Sequence, residues 1–303
     1  MERHIILGTD FWTDCDDVAA LRLVCRFAKQ KVWTLDGVIL NACMPYSARA
    51  LDGLLRHEGV LCPVGIDLSA DDFGGDPPYQ KRLAERCPSP LTNEACEDGV
   101  TLYRRLLSHI PDGEAEILEI GYPQVLAALL RSEPDAFSPL DGIELVKKKV
   151  SRFWVMGGNW RDGGHGKENN FSRNRRAACG AHAFLRDCPS DITFLGWEVG
   201  ASVLARPKPD ENDPVYGAFC DHHSAGGRSA WDPMLILLAA AGDPADAGYD
   251  CREGIASVDE ETGENFFSAV SDNAVRRDRY VIKRFPDSRY EALLDEALNR
   301  DVL

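Results

Sequence analysis

Between the apolar run Ile5-Ile6-Leu7 and the first helical pattern of the chain stand four carboxylates, Asp10, Asp14, Asp16 and Asp17. The helical pattern starts at once, with Val18, Leu21, Val24, Cys25 and Ala28 on one face, so the aspartates occupy a strand-to-helix turn. In an open parallel sheet, ligands bind at such carboxyl ends of strands. Two explanations compete. Asp14 suits a helix N-cap, and Asp16 and Asp17 suit the positive end of a helix. One or two carboxylates would satisfy that need, whereas four within eight residues repel one another unless a cation sits among them. A hard, all-oxygen cluster suits Ca²⁺ or Mg²⁺ rather than zinc.

The rest of the chain repeats a strand, loop, helix rhythm. Residues 32–40 read as a second strand ending at Asn41, 47–58 as a helix closed by Gly59, and 60–66 as a third strand. The acidic, Gly/Pro-rich stretch 67–80 reads as a surface loop and a mobile lid. Thr92 is predicted to begin a long amphipathic helix to about His109, followed by the buried strand 116–120, the turn Gly121-Tyr122-Pro123-Gln124 and a helix. A helix at 143–150, a strand at 152–156, a long loop from Gly157 to Asn170, a helix at 173–187 and the strand ITFLG come next. Asp232-Pro233 opens the apolar helix MLILLAAAG, with Pro in a favourable first-turn position. The last part reads as strands with a turn and a closing amphipathic helix. Alternating strands and helices predict an α/β fold with a mostly parallel central sheet flanked by helices and a small antiparallel C-terminal portion.

Composition narrows the partners. A chain of 303 residues with 44% hydrophobic content buries a sizeable core, and no linker-like shift divides it, so one domain over 1–303 is expected. The formal charge of −15 disfavours nucleic acid, whose phosphates need a basic surface. The ten cysteines show no CxxC pair and no Cys/His zinc spacing, and several lie in apolar runs. Neither a signal peptide nor a membrane span is read, so a reduced, cytoplasmic protein is expected.

Polar residues recur at the predicted strand ends: the first aspartates, Asn41, the Gly121–Gln124 turn, the 156–170 loop and Asp232. Singly, each has an ordinary structural use. Asn41 caps a turn, Asn170 bonds its own loop, and Asp232 is an N-cap before Pro. Their shared position at the carboxyl edge gives them joint meaning.

In this order they resemble the inosine-uridine nucleoside hydrolase family. GTDFWTDCDDVAAL is similar to the family's opening DTDxGxDVDDAxAL, and GVILNACMPYSARALDGLL to its second strand and Asn-containing turn. ILEIGYPQVLAALL resembles its Gly-Pro-Leu-Thr-Asn turn, FWVMGGN with KENNFSRNRRAA its Met-Gly-Gly strand and Glu-x-Asn loop, and GRSAWDPMLILLAA its Asp-Pro helix.

The resemblance implies a nucleoside hydrolase, Rossmann-like fold and Ca²⁺-dependent hydrolysis of the N-glycosidic bond of a ribonucleoside, or a related N-riboside, to ribose and base. Asp10, Asp17, the main-chain carbonyl of Gln124 and Asp232 would hold Ca²⁺. Asp16, Asn41, Glu168 and Asn170 would bind the ribose, with Asp232 also at its diol. The ion would position a water and lower its pKa while Asp10 takes the proton as general base. Purine or pyrimidine salvage, a small-molecule ribonucleoside as partner and a dimer or tetramer follow by the same resemblance.

Five residues depart from the pattern. Gly8 stands where the family has a further Asp, so a hydrogen bond to the cluster is missing or comes from Asp14. Phe11-Trp12 replace small turn residues and would narrow the site or stack on a base. Gln124 replaces Thr, which a carbonyl ligand tolerates. Trp231 stands where purine-using relatives carry a His that serves as leaving-group acid; it stacks on heterocycles but is a poor proton donor. His222, His223 and His165 are the alternative donors, or solvated loop residues. Trp160, Trp12 and Tyr122 are core or base-stacking residues. The competing reading is a metal- and sugar-binding protein of the same fold without efficient turnover. An aspartate-nucleophile phosphatase would need a carboxylate two residues after Asp10, where Trp12 stands.

Overall fold

The computed structural model describes residues 2–75, 78–270 and 276–299. Its strands, in chain order, are β1 (His4–Thr9), β2 (Thr34–Leu40), β3 (Val64–Ile66), β4 (Glu97–Asp98), β5 (Ala115–Glu119), β6 (Val150–Met156), β7 (Ile192–Leu195), β8 (Leu204–Ala205), β9 (Arg228–Ser229), β10 (Tyr249–Val258), β11 (Asn265–Ser268) and β12 (Asp278–Lys283). Ten of them form one sheet in the order β11-β10-β12-β7-β6-β5-β1-β2-β3-β4, and β8 and β9 pair as a separate ribbon. From β12 through β4 all neighbours are parallel, and β10 runs antiparallel to both β12 and β11. The predicted α/β sheet with a small antiparallel C-terminal portion is therefore what the chain builds.

Parallel strands covered on both faces require apolar side chains in both directions. In β1, Ile5 and Leu7 join the core on one face and Ile6 joins the core on the other. The helix Asp16–Lys29 packs Val18, Leu21, Val24 and Cys25 into the first of these cores, against the helix Trp231–Ala241. After β1 the chain winds outward through β2, β3 and β4, then returns to the opposite side of β1 with β5. That reversal places a crevice at the carboxyl ends of β1 and β5.

Several sequence expectations shift. The helix placed from Thr92 begins at Gly99; ahead of it lie a short 3₁₀ turn, Asn93–Ala95, and β4. Asp98 caps the shorter helix by accepting the N–H of Thr101 at 2.9 Å, and pairing with β3 holds Glu97 and Asp98 extended. The 157–170 loop contains a tight turn at Arg161–Gly164, with Asp162 and Gly163 in the left-handed region, and leads into a short helical turn, Asn169–Ser172. The 67–80 segment is anchored: Ala70 and Phe73 are buried, and Phe73 stacks on Tyr122 with ring centroids 3.9 Å apart. Asp76 and Pro77 of that segment lie outside the described residues. All ten cysteines are unpaired thiols. Among the described residues no helix is long and apolar enough to cross a membrane.

Candidate active site

Five adjacent strands end on one edge of the sheet, each followed by a residue that matters to the crevice: Asp10 after β1, Asn41 after β2, Ile120 after β5, the Gly157 turn after β6 and Trp197 just beyond β7. A cavity of about 260 Å³ opens there, lined by Asp10, Asp14, Asp16 and Asp17 with Glu168, Asn170 and Asp232. Ile120, Met156, Trp197, Arg228 and Trp231 complete most of its wall. A depression of about 400 Å³ elsewhere, lined mainly by Phe27, Leu237, Leu238, Tyr249, Tyr290 and Leu293, has no such convergence of polar groups.

The β1 turn is held in a conformation that most side chains avoid. Phe11 has φ of 45°, in the left-handed region, and is fully buried. Its N–H is accepted by Asp17 Oδ1 at 3.2 Å and by Thr9 Oγ1 at 3.0 Å, and its carbonyl accepts from Gln80 Nε2. Thr9 Oγ1 also donates to Asp17 Oδ1 at 2.5 Å. This clamp turns Asp10 and Asp17 toward each other. Phe11 and Trp12 are spent on the clamp's packing, Phe11 edge-on to Tyr79 and Trp12 near Phe73, so neither narrows the cavity nor is free to stack on a ligand.

Oxygens of Asp16, Asp17 and Asp232 lie within 4.8 Å of one another, and all three residues are buried. Burial, then repulsion from neighbouring aspartates, pushes these three carboxyls well above the usual carboxylate range: Asp14 and Asp17 act on Asp16, Asp10 and Asp14 on Asp17, and Asp16 and Asp17 on Asp232. Burial likewise raises Asp10, to about 7. Among the described residues no lysine or arginine forms an ion pair with any of the four. Arg228 is engaged by Asp14, at 2.6 Å. So Asp14 is not free to replace a carboxylate at position 8. Buried like charges without counter-charge are unfavourable, and a divalent cation relieves them; oxygen-only donors fit Ca²⁺ or Mg²⁺. The residues present therefore fit such an ion.

Glu168 caps the turn Asn169–Ser172, accepting the N–H of Asn170 at 2.8 Å and of Phe171 at 2.9 Å, and burial pushes it up to about 7. Asn170 Nδ2 donates to the carbonyls of Ile120 and Met156, each at 3.1 Å, tying the turn to two strand ends. Asn41 and Gln124 do not line this cavity. Asn41 is fully buried; its Oδ1 accepts the Tyr122 N–H at 3.1 Å and its Nδ2 donates to Glu119 at 2.7 Å. Gln124 lies on a neighbouring depression with Asp67 and Arg176, and it is Ile120, earlier in the same turn, that reaches the crevice.

None of His165, His222 and His223 lines the cavity. His165 stacks on Phe266 at 4.7 Å and lies 3.7 Å from Glu264. His222 is braced by the Thr13 carbonyl at 3.1 Å and by Ser224 Oγ at 2.9 Å, 4.0 Å from Asp14. His223 occupies a left-handed turn with φ of 60°. Trp231 does line the cavity. Its Nε1 donates to the Trp197 carbonyl at 2.8 Å, its ring lies 6.4 Å from that of Trp197, and the Arg228 guanidinium lies 5.3 Å from its ring centroid. Trp160 and Tyr122 are buried, Trp160 among Phe194, Phe267 and Tyr280.

Trp197, Arg228 and Glu119 escaped the sequence reading. Trp197 follows a strand and a glycine, a signal that was present. The place of Glu119 depends on strand register: it sits opposite Gly8, 1% exposed, and burial pushes it up to about 8.

No family model and no curated protein matches the chain. Solved structures do. A plant nucleoside hydrolase, PpNRh1, superposes with a TM-score of 0.67 at 16% identity, over 99% of this chain and 100% of that one. The effector protein XOO4466 gives 0.69 at 15% identity over 98% and 93%, respectively. The type III effector protein XopQ, solved with adenosine diphosphate ribose, gives 0.65 at 15% identity over 98% and 94%. Over essentially its whole length, the chain has the fold these proteins share.

Proposed function

We propose that the protein hydrolyses the N-glycosidic bond of a ribonucleoside or a closely related N-riboside, in a Ca²⁺-dependent manner, releasing ribose and a free base. The observation that carries this reading is the convergence of Asp16, Asp17 and Asp232 beside Asp10 in a crevice that also offers Glu168 and Asn170. Similarity in fold to a plant nucleoside hydrolase supports it. So does the ligand of the XopQ structure, a molecule built on ribose.

In this reading Asp10, Asp17 and Asp232 hold the ion, and Asp16, Glu168 and Asn170 face the hydroxyls of the sugar. When bound, a divalent cation neutralises the cluster and acidifies adjacent water. Asp10 accepts the proton of the attacking water as general base. The remaining carboxylates stabilise the positive charge that grows on the sugar as the C1′–N bond breaks. Trp231 and Trp197 offer the departing base an aromatic face.

A second reading, a sugar- and metal-binding protein without efficient turnover, is favoured by one observation: no histidine among the described residues lines the cavity to protonate the base. Comparing wild type with Asp10→Asn separates the two. Hydrolysis predicts ribose release from at least one member of a purine and pyrimidine ribonucleoside panel, lost by at least ~10³-fold in the variant. Ribonucleoside binding without release in the wild type would establish the binding role instead.

A further inference from the structure

Glu119 closes β5 opposite Gly8 of β1. Its Oε1 accepts from Asn41 Nδ2 at 2.7 Å and from the Gly121 N–H at 3.0 Å. Its Oε2 is buried and has no hydrogen-bond partner among the described residues. A Cβ built on Gly8 would collide with that carboxylate, whose three heavy atoms are the nearest it would meet. Positions 8 and 119 therefore compete for one space, which Glu119 fills from the neighbouring strand.

We propose that Glu119 is a positioning residue of the site, a buried carboxylate that locks the exits of β2 and β5 against the main chain of Asp10. Three contacts lead from it to the crevice. Asn41, oriented by Glu119, accepts the Tyr122 N–H at 3.1 Å and so fixes the turn after β5. Gly121, whose N–H Glu119 also holds, packs so closely on the Asp10 amide and Asn41 Oδ1 that a Cβ there would collide with both. Ile120, in the same turn, receives Asn170 at its carbonyl and lines the cavity. One oxygen here organises two buried donors at the sheet's switch point, and a buried donor left without its acceptor is costly. Displacing it frees Asn41 and the turn together, and Asp10 loses the surface against which it is set.

The inference rests on the hydrolase reading for its kinetic readout only, so the test pairs turnover with Ca²⁺ titration by calorimetry and with ion-free melting. Four proteins are compared: wild type, Glu119→Gln, Glu119→Ala and the double variant Gly8→Asp/Glu119→Ala. Glutamine keeps the Oε1 acceptor and is expected within about 3-fold of wild type in kcat and in the Ca²⁺ dissociation constant. Alanine is expected to lower kcat by ~30-fold or more and to weaken Ca²⁺ by about 10-fold, without a matching fall in melting temperature. The double variant returns a carboxylate to the same space from β1 and is expected to recover at least about 10-fold over the alanine protein. Wild-type behaviour of Glu119→Ala, or a loss that neither glutamine nor the relocated aspartate restores, would overturn the proposal. If the alanine protein does not fold, the double variant decides: folded with wild-type Ca²⁺ affinity supports the role, and folded without it refutes the role. If wild type releases no ribose, the hydrolase reading fails by itself, and the order of Ca²⁺ affinities still decides the role of Glu119.

Discussion

Asp16 accepts the main-chain N–H of Asp232 through Oδ2 at 3.1 Å, although 216 residues separate them. The bond joins the first turns of the helices Asp16–Lys29 and Trp231–Ala241, which pack side by side behind the sheet. Two helix N-termini thus converge on one group of carboxylates, and their positive ends soften the repulsion without cancelling it.

Removing one carboxylate should separate ion binding from folding. Asp232→Asn keeps the shape of the side chain and its place in the helix's first turn, but withdraws a charged oxygen. Calorimetric titration should show Ca²⁺ affinity falling by at least ~10-fold, with the ion-free melting temperature unchanged or higher, since one buried like charge is gone. Unchanged Ca²⁺ affinity would remove Asp232 from the ion site.

The pH dependence has a definite sign. Asp10 is raised from 3.8 to about 7 in the folded protein, chiefly by burial, so the folded state binds its proton more tightly than the unfolded chain. Its favourable contribution is fully present below pH ~4 and is lost as pH rises through about 7. Asp10→Asn should therefore stabilise the ion-free protein by about 2–4 kcal/mol at pH 8 and by little at pH 4, read from urea melts at the two values. Equal effects at both pH values would contradict the assignment.

Trp231 is the aromatic residue best placed to meet a heterocycle. Trp231→Ala should raise KM by ~10-fold or more through lost stacking, while Trp231→Phe should keep most of the affinity. Steady-state kinetics on any cleaved riboside would check this. A pure kcat effect with KM unchanged would indicate that Trp231 acts on the leaving group rather than on binding.

Phe73 pins the 67–75 segment. It is 4% exposed and stacks face to face on Tyr122, near Trp12, while Arg173 holds its carbonyl. Phe73→Ala should cost about 3 kcal/mol of stability in a urea melt and make the segment a preferred site of limited proteolysis. Wild-type stability with an uncut segment would mean that Phe73 does not anchor it.

The parts of the site written in consecutive residues were legible in the sequence. Ile5-Ile6-Leu7 followed by aspartates and a helical pattern can hardly be anything but a buried strand feeding a helix, and Asp232-Pro233 marks a helix start by local chemistry. What depends on neighbours in space was not legible. β4 exists because β3 offers Glu97 and Asp98 a partner, so the pattern from Thr92 read as continuous helix. Glu119 looked like one more residue of a buried strand until the register set it opposite Gly8. His165, His222 and His223 were plausible proton donors by sequence proximity; in the fold none of them lines the cavity, although His222 sits directly behind its wall, 3.1 Å from the Thr13 carbonyl and 4.0 Å from Asp14. Asn41 was visible as a strand-end amide, but its use as a brace between two strands required the third dimension.

The most direct test of the account is ribose release from a purine and pyrimidine ribonucleoside panel by the chelator-treated protein, followed by stepwise return of Ca²⁺. The account predicts that release stops under chelator and returns in proportion to added ion, saturating near one Ca²⁺ per chain. Release that persists undiminished after chelation, or Ca²⁺ binding with no release from any ribonucleoside in the panel, would contradict it.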